Sequence, residues 1–155
     1  MAREIERKFL VKGNRWRNQA SGILYRQGYL AIDIKRTVRI RTVEKKGFLT
    51  IKALERGAVR TEYEYEIPLQ DAISILDTLC ELPIIEKKRY KIDHKGFVWE
   101  VDEFMGENKG LIIAEVELSD ENQVIAIPDW VGKEVTDDLR YLNANLVKNP
   151  YSKWK

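Results

Sequence analysis

Val59-Arg60-Thr61-Glu62-Tyr63-Glu64-Tyr65-Glu66-Ile67 alternates between two kinds of side chain along its whole length. Arg60, Glu62, Glu64 and Glu66 fall on one parity, and Val59, Tyr63, Tyr65 and Ile67 on the other. A period of two predicts an extended strand, and the β-branched and aromatic residues suit one. The same reading extends outward. Glu55-Arg56-Gly57 is a turn leading back to a strand over 47–53, where Phe48, Thr50 and Lys52 share a face. Glu44-Lys45-Lys46-Gly47 is another, leading back to 36–43, where Arg39 and Arg41 oppose Val38, Ile40 and Thr42. Short strands joined by Gly-bearing turns predict antiparallel hairpins.

Further strands are predicted over 3–11, 23–31, 84–92, 97–104 and 111–118, with turns at Asp93-His94-Lys95-Gly96 and Gly106–Gly110. The period changes once, after Pro68. Leu69, Ala72, Ile73, Leu76, Leu79 and Cys80 have the spacing of an amphipathic helix over about 68–82, with Pro68 suited to its first turn. A short helix from Ser119 or Asp120 to about Ala126 and a helical stretch over about 137–148 complete the expectation: a single mainly β (α+β) domain over 1–155 with eight strands.

The chain has 155 residues, a one-domain length able to bury a self-sufficient core. Charged residues make up 34%, yet 27 Lys+Arg against 25 Asp+Glu leave +2. That balance argues against a nucleic-acid or membrane binder, which would carry a one-signed excess. The N-terminus has no apolar h-region, and no window approaches a membrane span, so a cytoplasmic protein is expected. Cys80 and His94 are the only residues of their types. A disulfide framework, a Cys- or His-based zinc site and a Ser-His-Asp triad are therefore disfavoured, and a bound metal would take oxygen ligands.

The charges sit at strand centres. Glu4, Glu6, Lys8, Arg39, Arg41, Lys52, Glu62, Glu64, Lys87, Arg89, Asp102, Glu115 and Glu117 share one parity within each strand. The solvated face of an ordinary antiparallel sheet explains any one strand taken alone. Three features favour another reading: Ser, Thr and Gln are scarce at these positions, the stripe recurs in seven strands, and acidic strands are distinct from basic ones. A closed sheet would turn the stripe into a wet lumen, where seven acids and six bases nearly cancel. Such a cavity fits a ligand of both signs, such as a metal–polyphosphate complex.

Glu4-Ile5-Glu6-Arg7-Lys8 resembles the Glu-x-Glu-x-Lys signature of the CYTH, or triphosphate tunnel metalloenzyme, family, and the resemblance runs through the chain. Tyr25–Leu30, Arg39-x-Arg41, Thr50-Ile51-Lys52, Glu62-Tyr63-Glu64, Glu86-Lys87-x-Arg89-Tyr90, Asp102-x-Phe104 and Ala114–Glu117 follow in order. Trp130-x-Gly132-x-Glu134-Val135-Thr136 and Arg140-Tyr141-x-Asn143 extend it to the C-terminus. The pattern is most similar to the short bacterial members.

The resemblance implies an eight-stranded antiparallel closed barrel that hydrolyses or cyclises triphosphates with Mg²⁺ or Mn²⁺. It implies that Glu4, Glu6, Glu115 and Glu117 hold the principal metal. Glu62, Glu64 and Asp102 would complete the acidic side, binding a second metal or positioning the attacking water. Lys8, Arg39, Arg41, Lys52, Lys87 and Arg89 would grip the triphosphate, and Glu4, Glu6, Lys8 and Asp102 form the implied catalytic set. Leu139 departs from the pattern, standing where many relatives carry Lys, which puts a phosphate contact from the C-terminal segment in doubt.

The expected function is therefore hydrolysis of inorganic triphosphate, with nucleoside triphosphates as further substrates. The expected partner is a small-molecule triphosphate, with no nucleic acid and no membrane, bound by a monomer or homodimer. Adenylate cyclase, thiamine triphosphatase and a non-catalytic polyphosphate binder are the alternatives. The acids count against the binder. Plain structural roles are expected for His94 (exposed in a turn), Cys80 (a buried thiol) and Trp130 (packing). Arg60, Glu66 and Glu100 lie toward strand ends, where solvated pairing is expected, and Arg26 is open.

Overall fold

In the computed structural model, which describes residues 3–33 and 35–154, the alternating segments close on themselves. Eight strands, β1 (Arg3–Val11), β2 (Ile23–Ile32), β3 (Arg36–Val43), β4 (Lys46–Arg56), β5 (Val59–Ile67), β6 (Ile85–His94), β7 (Phe97–Phe104) and β8 (Ile112–Leu118), form the expected antiparallel barrel. Their order is β5-β4-β3-β2-β6-β7-β8-β1, and β1 returns to β5 through the pairs Arg3↔Thr61, Glu4↔Arg60 and Ile5↔Val59. A ninth strand, β9 (Val131–Glu134), continues along the same edge of β1, opposite Phe9 and Val11. It was not anticipated, because four residues around Gly132 are too few to show a period.

Register carries the charges inward together. Thr50 lies opposite both Arg39 and Glu64, Lys52 opposite Glu62, Lys8 opposite Glu115, and Arg89 opposite Asp102. With the inward parity charged, the apolar core lies mostly outside the barrel. Ile5, Phe9, Trp99, Val101 and Val116 cover the outer face of β1, β7 and β8, packed with Trp16, Ile125 and Trp130. Helix α1 (Leu69–Thr78) lays Ala72 and Leu76 against Ile40 on the far side. It is shorter than predicted, and extended Pro68 caps it rather than filling its first turn.

One end of the lumen is closed by apolar residues. Tyr29, Ile85, Phe104 and Ile113, all of inward parity, pack there against Val135, Tyr141, Ala144, Leu146 and Val147 of the C-terminal segment. That segment is a 3₁₀ turn (Leu139–Tyr141) followed by helix α2 (Asn143–Lys148), separated by extended Leu142, rather than one helical stretch from 137. The predicted helix over 119–126 is absent. The Asp120 carboxylate accepts from the Asn122 N–H at 2.8 Å and Gln123 Oε1 from the Ser119 N–H at 2.7 Å, local bonds that favour a turn. Among the described residues no helix is long and apolar enough to cross a membrane.

Strand β2 presents Gly28 beneath Leu76 of α1 and the Cys80–Ile84 stretch that follows it. A Cβ there would stand 2.8 Å from both Cys80 Cβ and Ile84 Cδ1. Gly28→Val should therefore overpack this contact and destabilise the fold by about 1–3 kcal/mol. At roughly 2–4 °C per kcal/mol for a chain of this size, thermal unfolding should shift down by about 2–12 °C. An unchanged melting temperature would contradict the packing.

Candidate active site

The barrel encloses a cavity of about 910 Å³, large enough for a small ligand. Its wall includes both Lys35–Arg36 and Glu44–Lys46, at opposite ends of β3, so it runs the length of that strand. Of the thirteen stripe residues, twelve line it: Glu4, Glu6, Lys8, Arg39, Arg41, Lys52, Glu62, Glu64, Lys87, Arg89, Glu115 and Glu117. Asp102 does not. It is 1% exposed, behind Lys87 and Arg89.

The wall divides into two arcs. Strands β4, β3 and β6, with β2, neutral on its inward face, lying between β3 and β6, supply Lys52, Arg39, Arg41, Lys87 and Arg89, while β7, β8, β1 and β5 supply Glu100, Glu115, Glu117, Glu4, Glu6, Glu62 and Glu64. Lys8 and Arg60 are the cations within the acidic arc. Arg60 and Glu100 were expected to be solvated; instead both line the cavity, with Arg60 buried and Glu100 3.3 Å from Arg89. The strand ends on which they sit lie over the lumen. Glu66 is exposed, and Arg26 points outward to Glu86 at 3.2 Å. Leu139 lies off this cavity, and Trp130 packs edge-on against Trp99.

Ion pairs run within and between the two arcs. Lys52 Nζ sits 3.2 Å from Glu4 and 3.1 Å from Glu62, and Lys8 Nζ 2.9 Å from Glu115. Arg89 grips Asp102 with two bonds of 2.8 and 2.9 Å, and Lys87 Nζ reaches the same carboxylate at 2.7 Å. Arg39 bonds Thr50 at 3.0 Å and Glu64 at 3.3 Å, but its buried Nε has no partner. A buried donor left unpaired is costly, so this nitrogen can still take an acceptor such as a phosphate oxygen. Arg41 donates through Nε to Gln27 at 2.9 Å, and its guanidinium and that of Arg89 both lie over the Tyr25 ring, 5.0 and 4.8 Å from its centre. Gln27, Tyr25, Thr50 and Asn143 were not singled out from sequence. As neutral residues they carry no charge signal, although Tyr25, Gln27 and Tyr29 share an inward parity.

Burial and the Glu115 charge push the Glu6 carboxyl up to about 8. Burial likewise raises Glu4, with Glu62 adding to the effect against Lys52, and it raises Glu117, with Glu100 and Glu62 adding. Burial alone would raise Glu115, yet Lys8, Arg89 and Lys87 hold it well below the usual carboxylate range. In Asp102 burial is also outweighed, by Arg89 and Lys87. Burial drives Lys87 down to about 7, helped by Arg89 and Arg41 and opposed by Asp102. Crowded carboxylates with raised values mark where negative charge is undercompensated, and Glu6 faces Glu117 directly across β1 and β8.

All-carboxylate donors suit a hard divalent cation. The seven carboxylates proposed as ligands do not assemble into one set. Among the described residues no three come together as a metal cluster, Asp102 is held by cations, and Glu64 bonds Thr50 and Arg39. The pairs Glu4–Glu62 and Glu6–Glu115, with Glu117 nearby, are the part whose chemistry fits a cation.

The CYTH domain model matches residues 2–151. This chain belongs to the CYTH family. An inorganic triphosphatase of Acetivibrio thermocellus is 57% identical over 155 residues, covering 100% of this chain and 99% of that protein. An inorganic triphosphatase of Nitrosomonas europaea is 36% identical over 148 residues, covering 92% and 95%. The crystal structure of the inorganic triphosphatase NE1496 superposes with a TM-score of 0.67 at 34% identity, covering 93% of each chain. CYTH triphosphatases are metal-dependent enzymes, which accords with the carboxylate arc.

A carboxyl at about 8 in the folded chain and 4.5 ordinarily binds its proton more tightly when folded. Its contribution therefore favours the fold at low pH and is lost as pH rises from about 4.5 to about 8. In metal-free protein, Glu6→Gln should melt at a higher temperature than wild type at pH 9, with the gap closing below pH 5. A gap independent of pH would show that Glu6 is not held protonated.

Proposed function

We propose that this chain is a metal-dependent hydrolase of inorganic triphosphate. The observation that carries the reading is one cavity with a cationic arc facing an anionic arc. Phosphoryl transfer asks a protein mainly for positioning and electrostatic stabilisation, and the two arcs offer both. Arg39 and Arg41, on one face of β3, present donors not bonded to a carboxylate: the unpartnered Nε of Arg39, whose other end bonds Glu64, and the terminal nitrogens of Arg41. With Lys52, Lys87, Arg89 and Lys8 they would grip the phosphate oxygens, and guanidinium groups suit such oxygens bidentately.

Glu4, Glu6, Glu62, Glu115 and Glu117 would hold Mg²⁺ or Mn²⁺. When bound, such a cation supplies Lewis-acid polarisation and water of lowered pKa. Lys52, between Glu4 and Glu62, joins the arcs and would hold the phosphate chain against the acidic side. Asp102 would serve by fixing Lys87 and Arg89 rather than as a metal ligand, since it lies behind them and off the cavity. The Tyr25 ring already carries two guanidinium groups, which favours an inorganic substrate over a nucleotide base stacked there.

Phosphate release from tripolyphosphate, ATP and thiamine triphosphate, with and without Mg²⁺ or Mn²⁺, tests the assignment. Tripolyphosphate should be the best substrate, and chelation of the metal should abolish turnover. Removing one stabilising group from such a site typically costs about 10²–10³ in rate, so Glu6→Gln and Arg39→Ala should each lose activity on that scale. Release of cyclic AMP and pyrophosphate from ATP would favour the cyclase instead, and full activity in either variant would sink the residue roles.

A further inference from the structure

Two side chains at the sealed end of the lumen bond to the cationic arc without neutralising it. Gln27 is fully buried, and its amide is used on both sides. Its Oε1 accepts from Arg41 Nε at 2.9 Å, and its Nε2 donates to the Tyr29 hydroxyl at 3.2 Å and to Asn143 Oδ1 at 3.1 Å. Asn143 Oδ1 accepts a second bond, from Lys87 Nζ at 2.7 Å. An ammonium only donates, so this contact fixes which end of the Asn143 amide faces Lys87. The result is a chain running Arg41–Gln27–Asn143–Lys87.

The chemical type of these partners matters. Arg89, Lys8, Lys52 and Arg39 are paired with carboxylates, and Lys87 with Asp102, which cancels part of their charge. Amide oxygens orient a cation and leave its charge available to an incoming anion. Lys87, already bonded to Asp102, needs a second acceptor to fix its ammonium, and burial disfavours one carrying another negative charge. Asn143 meets that need from outside the barrel. It stands between Leu142 and Ala144, which with it line the cavity, while Tyr141, Leu146 and Val147 anchor the segment in the apolar cluster. The Tyr141 carbonyl also accepts from Lys8 Nζ at 3.4 Å.

We propose that Asn143 and Gln27 are positioning residues that hold Lys87 and Arg41 for the triphosphate, so that the C-terminal segment shapes the anion site through them. The proposal rests on the triphosphate reading above. It gives the segment a role that needs no phosphate contact of its own, and Leu139, off the cavity, plays no part in it.

A pair of double-mutant cycles tests it. Tripolyphosphate binding to the full chain is measured calorimetrically without divalent metal, so that no turnover intervenes, and thermal unfolding checks the fold of each variant. Asn143→Ala should weaken binding roughly 5–20-fold in the wild-type background but less than about twofold beside Lys87→Ala, because coupled residues do not add. Gln27→Met should behave in the same way toward Arg41→Met. With Mg²⁺ present, Asn143→Ala should raise KM by a similar factor and leave kcat within about threefold, whereas a segment that only seals the barrel would lower kcat with the folded fraction. Equal losses in both backgrounds would overturn the proposal. If Asn143→Ala does not fold, the Gln27 cycle decides by the same criterion. A wild-type chain that fails to bind tripolyphosphate would instead overturn the reading of function beneath it.

Discussion

Closing a sheet forces one parity of every strand into the lumen, and in this chain that parity is charged on seven of the eight barrel strands. A charge taken out of water is costly unless it is paired, so the interior must neutralise itself or bind something that does. The neutralisation is uneven. At Asp102, Lys87, Arg89, Glu115 and Lys8 the charges interlock. At Arg39 a donor is left over, and at Glu6, Glu4 and Glu117 negative charge is in excess. The surplus of one sign lies on one arc and the surplus of the other across from it. An empty barrel of this kind is a poor home for its own charges and a good one for an anion with its cation.

The same constraint dictates the rest of the architecture. A lumen lined with charge cannot serve as the core, so stability has to come from the outside of the barrel. Trp99, Phe9, Trp16 and Trp130 pack on one face and α1 on another. A buried apolar cluster lies at one end, where the C-terminal segment seals it. That seal leaves the polar remainder as the cavity and brings Asn143 within reach of Lys87. Strand β2 interrupts the basic arc with neutral residues, and those residues orient the arginines on its neighbours: Tyr25 beneath Arg41 and Arg89, and Gln27 against Arg41.

Parity made most of this legible. Strands such as Val59–Ile67 declare themselves by alternation, and the shared parity of Arg39 with Arg41 and of Glu62 with Glu64 already gave each strand a charged side. Strand ends were harder to read, because tilt around a closed sheet carries Arg60 and Glu100 over the lumen, where a flat sheet would leave them in solvent. The depth of Asp102 was hidden too, since nothing in the sequence says that Lys87 and Arg89 close in front of it. Gln27 and Asn143 are 116 residues apart, and neutral amides look like any polar surface until the fold brings them together. Ser119 or Asp120 offered a cap for a helix over 119–126, but the local bonds of Asp120 and Gln123 make a turn instead.

The central claim is that the two arcs divide the work, carboxylates taking the cation and guanidinium groups the phosphates. Anomalous diffraction from crystals grown with Mn²⁺ and tripolyphosphate addresses it most directly. The account predicts a manganese peak on the Glu6–Glu115 side of the lumen and phosphate density within hydrogen-bond reach of Arg39 and Arg41. Manganese bound only outside the barrel, or a triphosphate lying along the acidic arc, would contradict it.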